Sequence, residues 1–217
     1  MNDLKNPEKL IVNSLSDQAY VKLKEHILNG TLKWGERLEI IKIAKAYDVS
    51  RAPIIKAIEK LAIEQLVIII PNQGSFVITP TVKDINAVHE IRTMMEITAC
   101  RLAFEKHCDE TGYQLRDNQN AFQNFDDFNV FLGYDRKFHQ IIFKNADNAR
   151  LFEMYATVRA QSELYRTKTF FFVNKEKALH DHNNIITAFE KNDLNLVLDC
   201  MNAHMHNVYE DSINSLD

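Results

Sequence analysis

Apolar positions along the chain follow two rhythms. Tyr20, Leu23 and Ile27 recur at helical spacing and predict a helix opened by Ser16 and stopped by Asn29-Gly30. A connector around Gly35 follows. Ile43, Ala44 and Tyr47 then share one face of a second helix over about residues 39–47. Asp48-Val49-Ser50 breaks it, and Ser50 can cap a third helix. Pro53 is tolerated there because a first-turn residue has no use for its missing N–H. Ala57, Ile58 and Leu61 carry that helix to about Glu64. The rhythm then changes. Val67–Ile70 is β-branched, Pro71-Asn72-Gln73-Gly74 is turn chemistry, and an extended run returns at Ser75–Thr79. Three short helices followed by one hairpin is the order of a winged helix-turn-helix. Residues 1–13 lack periodicity and are expected to form a flexible tail. Thr79-Pro80-Thr81 marks a boundary, so the winged domain is expected over 14–79 and a second domain over 80–217.

Beyond the boundary the pattern is helical throughout. Ile85, Val88, Met95, Ala99 and Leu102 form the core stripe of a long helix over about 81–106. A weaker helix is expected near 114–123, and others over about 127–144, 148–167, 175–191 and 193–212. Only Asn192 separates the last two, which predicts an antiparallel helical hairpin. The expected fold is mainly α: an N-terminal winged helix-turn-helix and a C-terminal all-α bundle of about six helices.

Composition narrows the classes of function. An apolar fraction of 46% and a charged fraction of 26% are those of a globular chain and exclude disorder. Five Gly and four Pro argue against a Gly-rich phosphate cradle or a turn-rich β fold. The longest apolar run is Leu66–Ile70, far short of the roughly 20 residues of a membrane span. The polar Met1-Asn-Asp-Leu-Lys-Asn start suggests no export signal. Cys100, Cys108 and Cys200 lack ligand spacing, so buried thiols in a reducing cytoplasm are expected. The net charge of −4 hides an asymmetry: residues 1–80 carry 11 Lys and Arg against 9 acids, and the remainder is acidic.

The acidic half holds the candidate chemistry. Asp135 and His139 are four apart and stack on one helical face, where they can share a metal ion or form a surface ion pair. His182 lies ten residues before Asn192 and His204 twelve after it, each about 15–18 Å from the turn at the helical rise. An antiparallel hairpin brings them level, while His180 and His206 should face elsewhere. Three imidazoles and one carboxylate suit Zn²⁺, and also Ni²⁺ or Mn²⁺. A core of satisfied histidines is the competing reading.

Several segments together carry a resemblance. The run Leu28-Asn-Gly-Thr-Leu-Lys-Trp-Gly-Glu-Arg-Leu38, then Val49-Ser50-Arg51-Ala52-Pro53 and Pro71-Asn72-Gln73-Gly74-Ser75-Phe76-Val77, resembles the DNA-binding domain of GntR-family regulators. Glu90-Ile-Arg92-Thr-Met-Met-Glu96, Asp135-Arg-Lys-Phe-His139 and His182 with Ile185 and Ala188 resemble the helical FCD effector domain of the FadR-like branch. The match spans about residues 14–210. It implies a cytoplasmic, ligand-responsive transcription regulator rather than an enzyme, a homodimer reading a double-stranded operator with matching symmetry. Asp135, His139, His182 and His204 match the family's metal pattern of one Asp and three His.

On this reading Arg51 grips a guanine edge or a phosphate, with Ser50 and Ala52 near the backbone. Lys42, Lys45, Lys56 and Lys60 form a cationic fringe, and Gln73-Gly74 is the wing tip. The family's usual arginines are replaced by Ile41 and Ile55, and a basic residue by Gln73. Ile41 and Ile55 either touch thymine methyls or pack inside. The resemblance also implies a small organic-acid effector. Arg92, on the apolar stripe, fits a carboxylate with its planar fork, or instead pairs internally with Glu96. Arg159 is a second effector candidate. A metallo-enzyme is the rival class, but no metal-free base accompanies the histidines; Glu210 and Asp211 lie too far along the chain to serve. A purely structural metal with a lipid or acyl effector is a further alternative.

Overall fold

The structure is a computed structural model that describes residues 14–122, 128–166 and 174–213. The expected tail, residues 1–13, lies outside the described residues. The chain divides into two compact units, Met1–Thr79 and Pro80–Asp217.

In the first unit, α1 (Leu15–Leu28), α2 (Ile40–Ala46) and α3 (Arg51–Ile63) precede a hairpin of β1 (Val67–Ile70) and β2 (Gly74–Val77). The cap of helix α1 is Ser14, two residues before the expected serine, Ser16. Ser14 accepts from Asp17 N at 3.2 Å, and the Asp17 carboxylate accepts from Ser14 N at 3.2 Å. This reciprocal box needs an acid three residues on, which Ser14 has and Ser16 lacks. Ser16 is buried instead. Leu23 and Ile27 of α1 pack with Ile54, Ala57, Ile58 and Leu61 of α3 as the core. The strands pair antiparallel with Val67 opposite Val77. The connector also joins the sheet: Leu38 N donates to Ser75 O at 2.8 Å and Val77 N to Glu36 O at 2.9 Å.

The second unit is α4 (Val82–Asn120), α5 (Phe128–Asn145), α6 (Ala149–Arg166), α7 (Lys175–Glu190) and α8 (Leu194–Ile213). Helix α4 packs against each of the other four. The expected gap between residues 106 and 114 is absent. The path only kinks at His107 (φ −147°, ψ 44°) and continues to Asn120. At Gly112 the second stretch lies against α7, where a Cβ would stand 3.4 Å from the Phe189 Cβ, an ordinary contact. Lys106 donates to Ala146 O at 2.9 Å and Asp147 O at 3.1 Å, tying the kink to the end of α5. Helices α7 and α8 pack as a hairpin that turns at Asn192, with φ 54°. Phe138, Ile142, Phe143, Tyr155, Ile185, Phe189 and Met201 fill the core.

Candidate metal centre and DNA-reading surface

Helix α5 carries Asp135 and His139 one turn apart, α7 carries His182, and α8 carries His204. All four are buried. One ring nitrogen from each histidine lies within 4.8 Å of the others. Asp135 Oδ1 stands 3.9 Å from His139 Nε2 and 3.8 Å from His182 Nε2. His180 and His206 are exposed.

The three rings are oriented from behind. His139 Nδ1 is 3.0 Å from Glu96 Oε2, His182 Nδ1 is 3.3 Å from the Tyr134 hydroxyl, and His204 Nδ1 is 3.5 Å from Asp181 Oδ2. The last contact is too poorly aligned to be a hydrogen bond. Phe138 stacks on the His182 ring at 3.8 Å. Carboxylate or hydroxyl partners behind the ring are what fix metal-binding imidazoles. Glu96 was named from sequence only as a partner for Arg92, and Tyr134 and Asp181 were not singled out; all three face their histidines from elsewhere in the chain, where no local spacing signals the contact.

His182 Nε2 and both nitrogens of His204 are buried with no hydrogen-bond partner. Leaving such atoms unsatisfied costs about 1–3 kcal/mol each. A cation that accepts one lone pair from each ring removes that cost at His182 Nε2 and at one nitrogen of His204, so the donor set fits a divalent metal better than a core of satisfied histidines. Electrostatics agree. Burial, then His204, pushes His182 well below its ordinary pKa, and burial also lowers His204. Neutral imidazole is the ligating form. Burial opposes ionisation of Asp135, but the Arg166 guanidinium beside it outweighs this and holds the carboxylate ionised. Glu96 is likewise disfavoured by burial, yet His139 and Arg92 bring it down to about 2.

Arg92 is 4% exposed. Its Nε is 3.3 Å from Glu96 Oε1, one terminal nitrogen donates to Ser162 Oγ at 3.0 Å, and the other lies 3.5 Å from His139 Nε2. The internal pair with Glu96 is therefore present, and the guanidinium still reaches the histidine cluster. It lines a narrow cleft with His89, Ser162, Tyr165 and Tyr209. Arg159 pairs with Glu163 on its own helix, with Nε to Oε1 at 2.8 Å, and does not line that cleft.

A second narrow cleft is lined by Asp135, Arg166, His204 and Asp211. Arg166 lies 3.5 Å from Asp135 Oδ2. Sequence reasoning missed Arg166 and dismissed Asp211 as too distant. Helix α8 continues to Ile213, and seven residues, about two turns, return Asp211 to the face of His204.

In the first unit, Ser50 is the N-cap residue of α3, without a side-chain cap bond. Arg51, Ala52, Lys56, Lys42, Lys45 and Gln73 are exposed. The cationic fringe is thinner than the lysine count suggests, because Lys42 pairs with Glu39 at 2.8 Å and Lys60 with Asp17. Ile41 is 62% exposed and Ile55 41%, so neither packs inside. Gly74 begins β2 with φ 121°, and a Cβ there would stand 3.1 Å from Arg37 Nε. The glycine thus makes room for an exposed guanidinium over the wing. Arg37 went unnoticed in the sequence because nothing local says that the connector pairs with β2.

A winged helix-turn-helix joined to a separate all-helical unit defines a class: two-domain, DNA-binding transcription regulators. Comparison with known proteins agrees. Residues 15–77 match the bacterial regulatory proteins of the gntR family, and residues 87–207 match the FCD domain. The chain belongs to the GntR family of transcription regulators, with an FCD domain. It is 26% identical to the HTH-type transcriptional regulator YdhC of Bacillus subtilis over 194 residues, 87% of each chain. It is also 26% identical to the transcriptional repressor RspR of Escherichia coli, over 90% of this chain and 88% of that one. Among solved structures, Escherichia coli McbR/YncC shares the fold with a TM-score of 0.75 at 19% identity, over 94% of this chain and 99% of that one. No described helix is long and apolar enough to cross a membrane.

Proposed function

We propose that this regulator is a cytoplasmic homodimer whose helical unit, expected over residues 80–217, holds one divalent metal and senses a small carboxylate there. The observation that carries this reading is three buried histidines whose nitrogens converge within 4.8 Å beside the Asp135 carboxylate, with those of His182 and His204 left without a hydrogen-bond partner. Asp135, His139, His182 and His204 are the ligands, and zinc suits them best, with nickel or manganese as alternatives. A bound metal would supply a positive centre to which an anion can add as a further ligand. Arg92 on one side and Arg166 on the other give a carboxylate cationic partners within reach of the same centre. Arg159 is demoted by its pairing with Glu163. Asp211, beside His204, favours a second reading: a metallo-enzyme with Asp211 as its base. The regulator relatives count against it.

The winged unit, residues 14–79, reads duplex DNA through Ser50, Arg51, Ala52 and Lys56 of the recognition helix. Lys42 and Lys45 lie on the helix before it, and Gln73, Gly74 and Arg37 on the wing. A ligand moves an equilibrium only through different affinities for two states. The effector must therefore bind one state of the helical unit better than another.

The test is a titration of the full chain against DNA from its own promoter region, at several salt concentrations. Salt-dependent binding is expected, and one acid from a panel of organic and sugar acids should change it only while metal is present. An effective acid that still works after chelation and in Arg92→Ala would overturn the sensing site. Hydrolysis of the lactone or ester of a panel acid by the metal-loaded chain, releasing the free acid and lost in Asp211→Asn, would favour the enzyme.

A further inference from the structure

The two faces of α3 divide cleanly. Ile54, Ala57, Ile58 and Leu61 are buried in the first unit, while Arg51, Ala52, Ile55 and Lys56 are exposed. Ile55 is 41% exposed on the outer face, one turn after Arg51 and next to Lys56 in the chain, where it is free to meet a partner outside the fold. We propose that Ile55 reads the C5-methyl group of a thymine in the major groove. This deepens the DNA-binding reading above and rests on it.

The chemistry allows little else. An isoleucine side chain has no donor or acceptor, so it can neither grip a guanine edge nor hold a phosphate. Thymine carries the one methyl group among the base edges of the major groove. Arg51 and Ile55 are four residues apart and lie on the same helical face, about 6 Å apart along the axis. At about 3.4 Å per base step, their targets fall one or two base pairs apart. The half-site should therefore hold a thymine one or two steps from the position contacted by Arg51. Nothing the isoleucine does there depends on charge, so its contribution should be insensitive to salt.

The probe is a random duplex library, selected for binding to the full-length protein. Each dT of the enriched half-site is then replaced singly by dU, which removes only the methyl. One such swap should weaken wild-type binding about fourfold, the value of one buried methyl-sized group. The same swap should leave Ile55→Ala unaffected. Because Ile55 lies outside the packed face, both Ile55→Ala and Ile55→Arg are expected to fold, and selection with Ile55→Arg should replace that thymine by guanine. An enriched site at which no dU swap changes wild-type binding would overturn the proposal. So would equal dU sensitivity in wild type and Ile55→Ala. A selection that enriches no sequence, with no salt-dependent binding, would overturn the DNA-binding reading itself.

Discussion

Glu96 concentrates the energetics of the helical unit on one carboxylate. It accepts from the Tyr155 hydroxyl at 2.7 Å and Arg92 Nε at 3.3 Å, and meets His139 Nδ1 at 3.0 Å, all out of solvent. Removing one partner of a buried charge pair strands the other, at about 3–5 kcal/mol. Arg92→Ala should therefore destabilise the chain by about that much in chemical denaturation. An Arg92→Ala chain as stable as wild type would mean that water already reaches Glu96. The residues named from sequence on helical spacing, Asp135, His139, His182 and His204, stand together. The partners that orient them were not legible, because a contact such as Glu96 to His139 spans 43 residues and is set by packing.

At the scale of elements, α5 serves two ends at once. Phe138 is fully buried and stacks on His182, while its neighbour His139 is turned to Glu96. Phe138→Ala should cost about 3–5 kcal/mol as a core truncation and also weaken metal binding, since the His182 ring loses its support. Ile54→Ala, in the core of the other unit, should cost a comparable amount yet leave metal affinity unchanged; isothermal titration with zinc checks both. Equal loss of affinity in the two variants would show that unfolding, not ring orientation, governs the site. Most elements were legible from periodicity. The join across residues 107–113 was not, because what holds the kinked path there is long-range, such as Lys106 reaching Ala146 O forty residues away. The start of α1 was misplaced because Ser14 and Ser16 are equal by residue type, and only the position of Asp17 separates them.

For the whole molecule, the buried histidines couple stability to pH. Burial holds His182 and His204 below their ordinary 6.5, so both stay neutral in the folded chain where the unfolded chain takes up protons. Their contribution is present above about 6.5 and is lost as pH falls below it, because the unfolded state then binds more protons. Thermal unfolding should move to lower temperature between pH 7.5 and 5.5, and more steeply with zinc present, since protons compete with the metal for the same nitrogens. A flat profile would contradict neutral buried rings.

Native mass spectrometry of the purified chain tests the proposed metal centre most directly. Wild type, His180→Ala and His206→Ala should each carry one divalent ion per chain, whereas His182→Ala and His204→Ala should carry none at the same zinc concentration. A wild-type chain that stays metal-free in zinc, or equal loss across all four histidine variants, would contradict it.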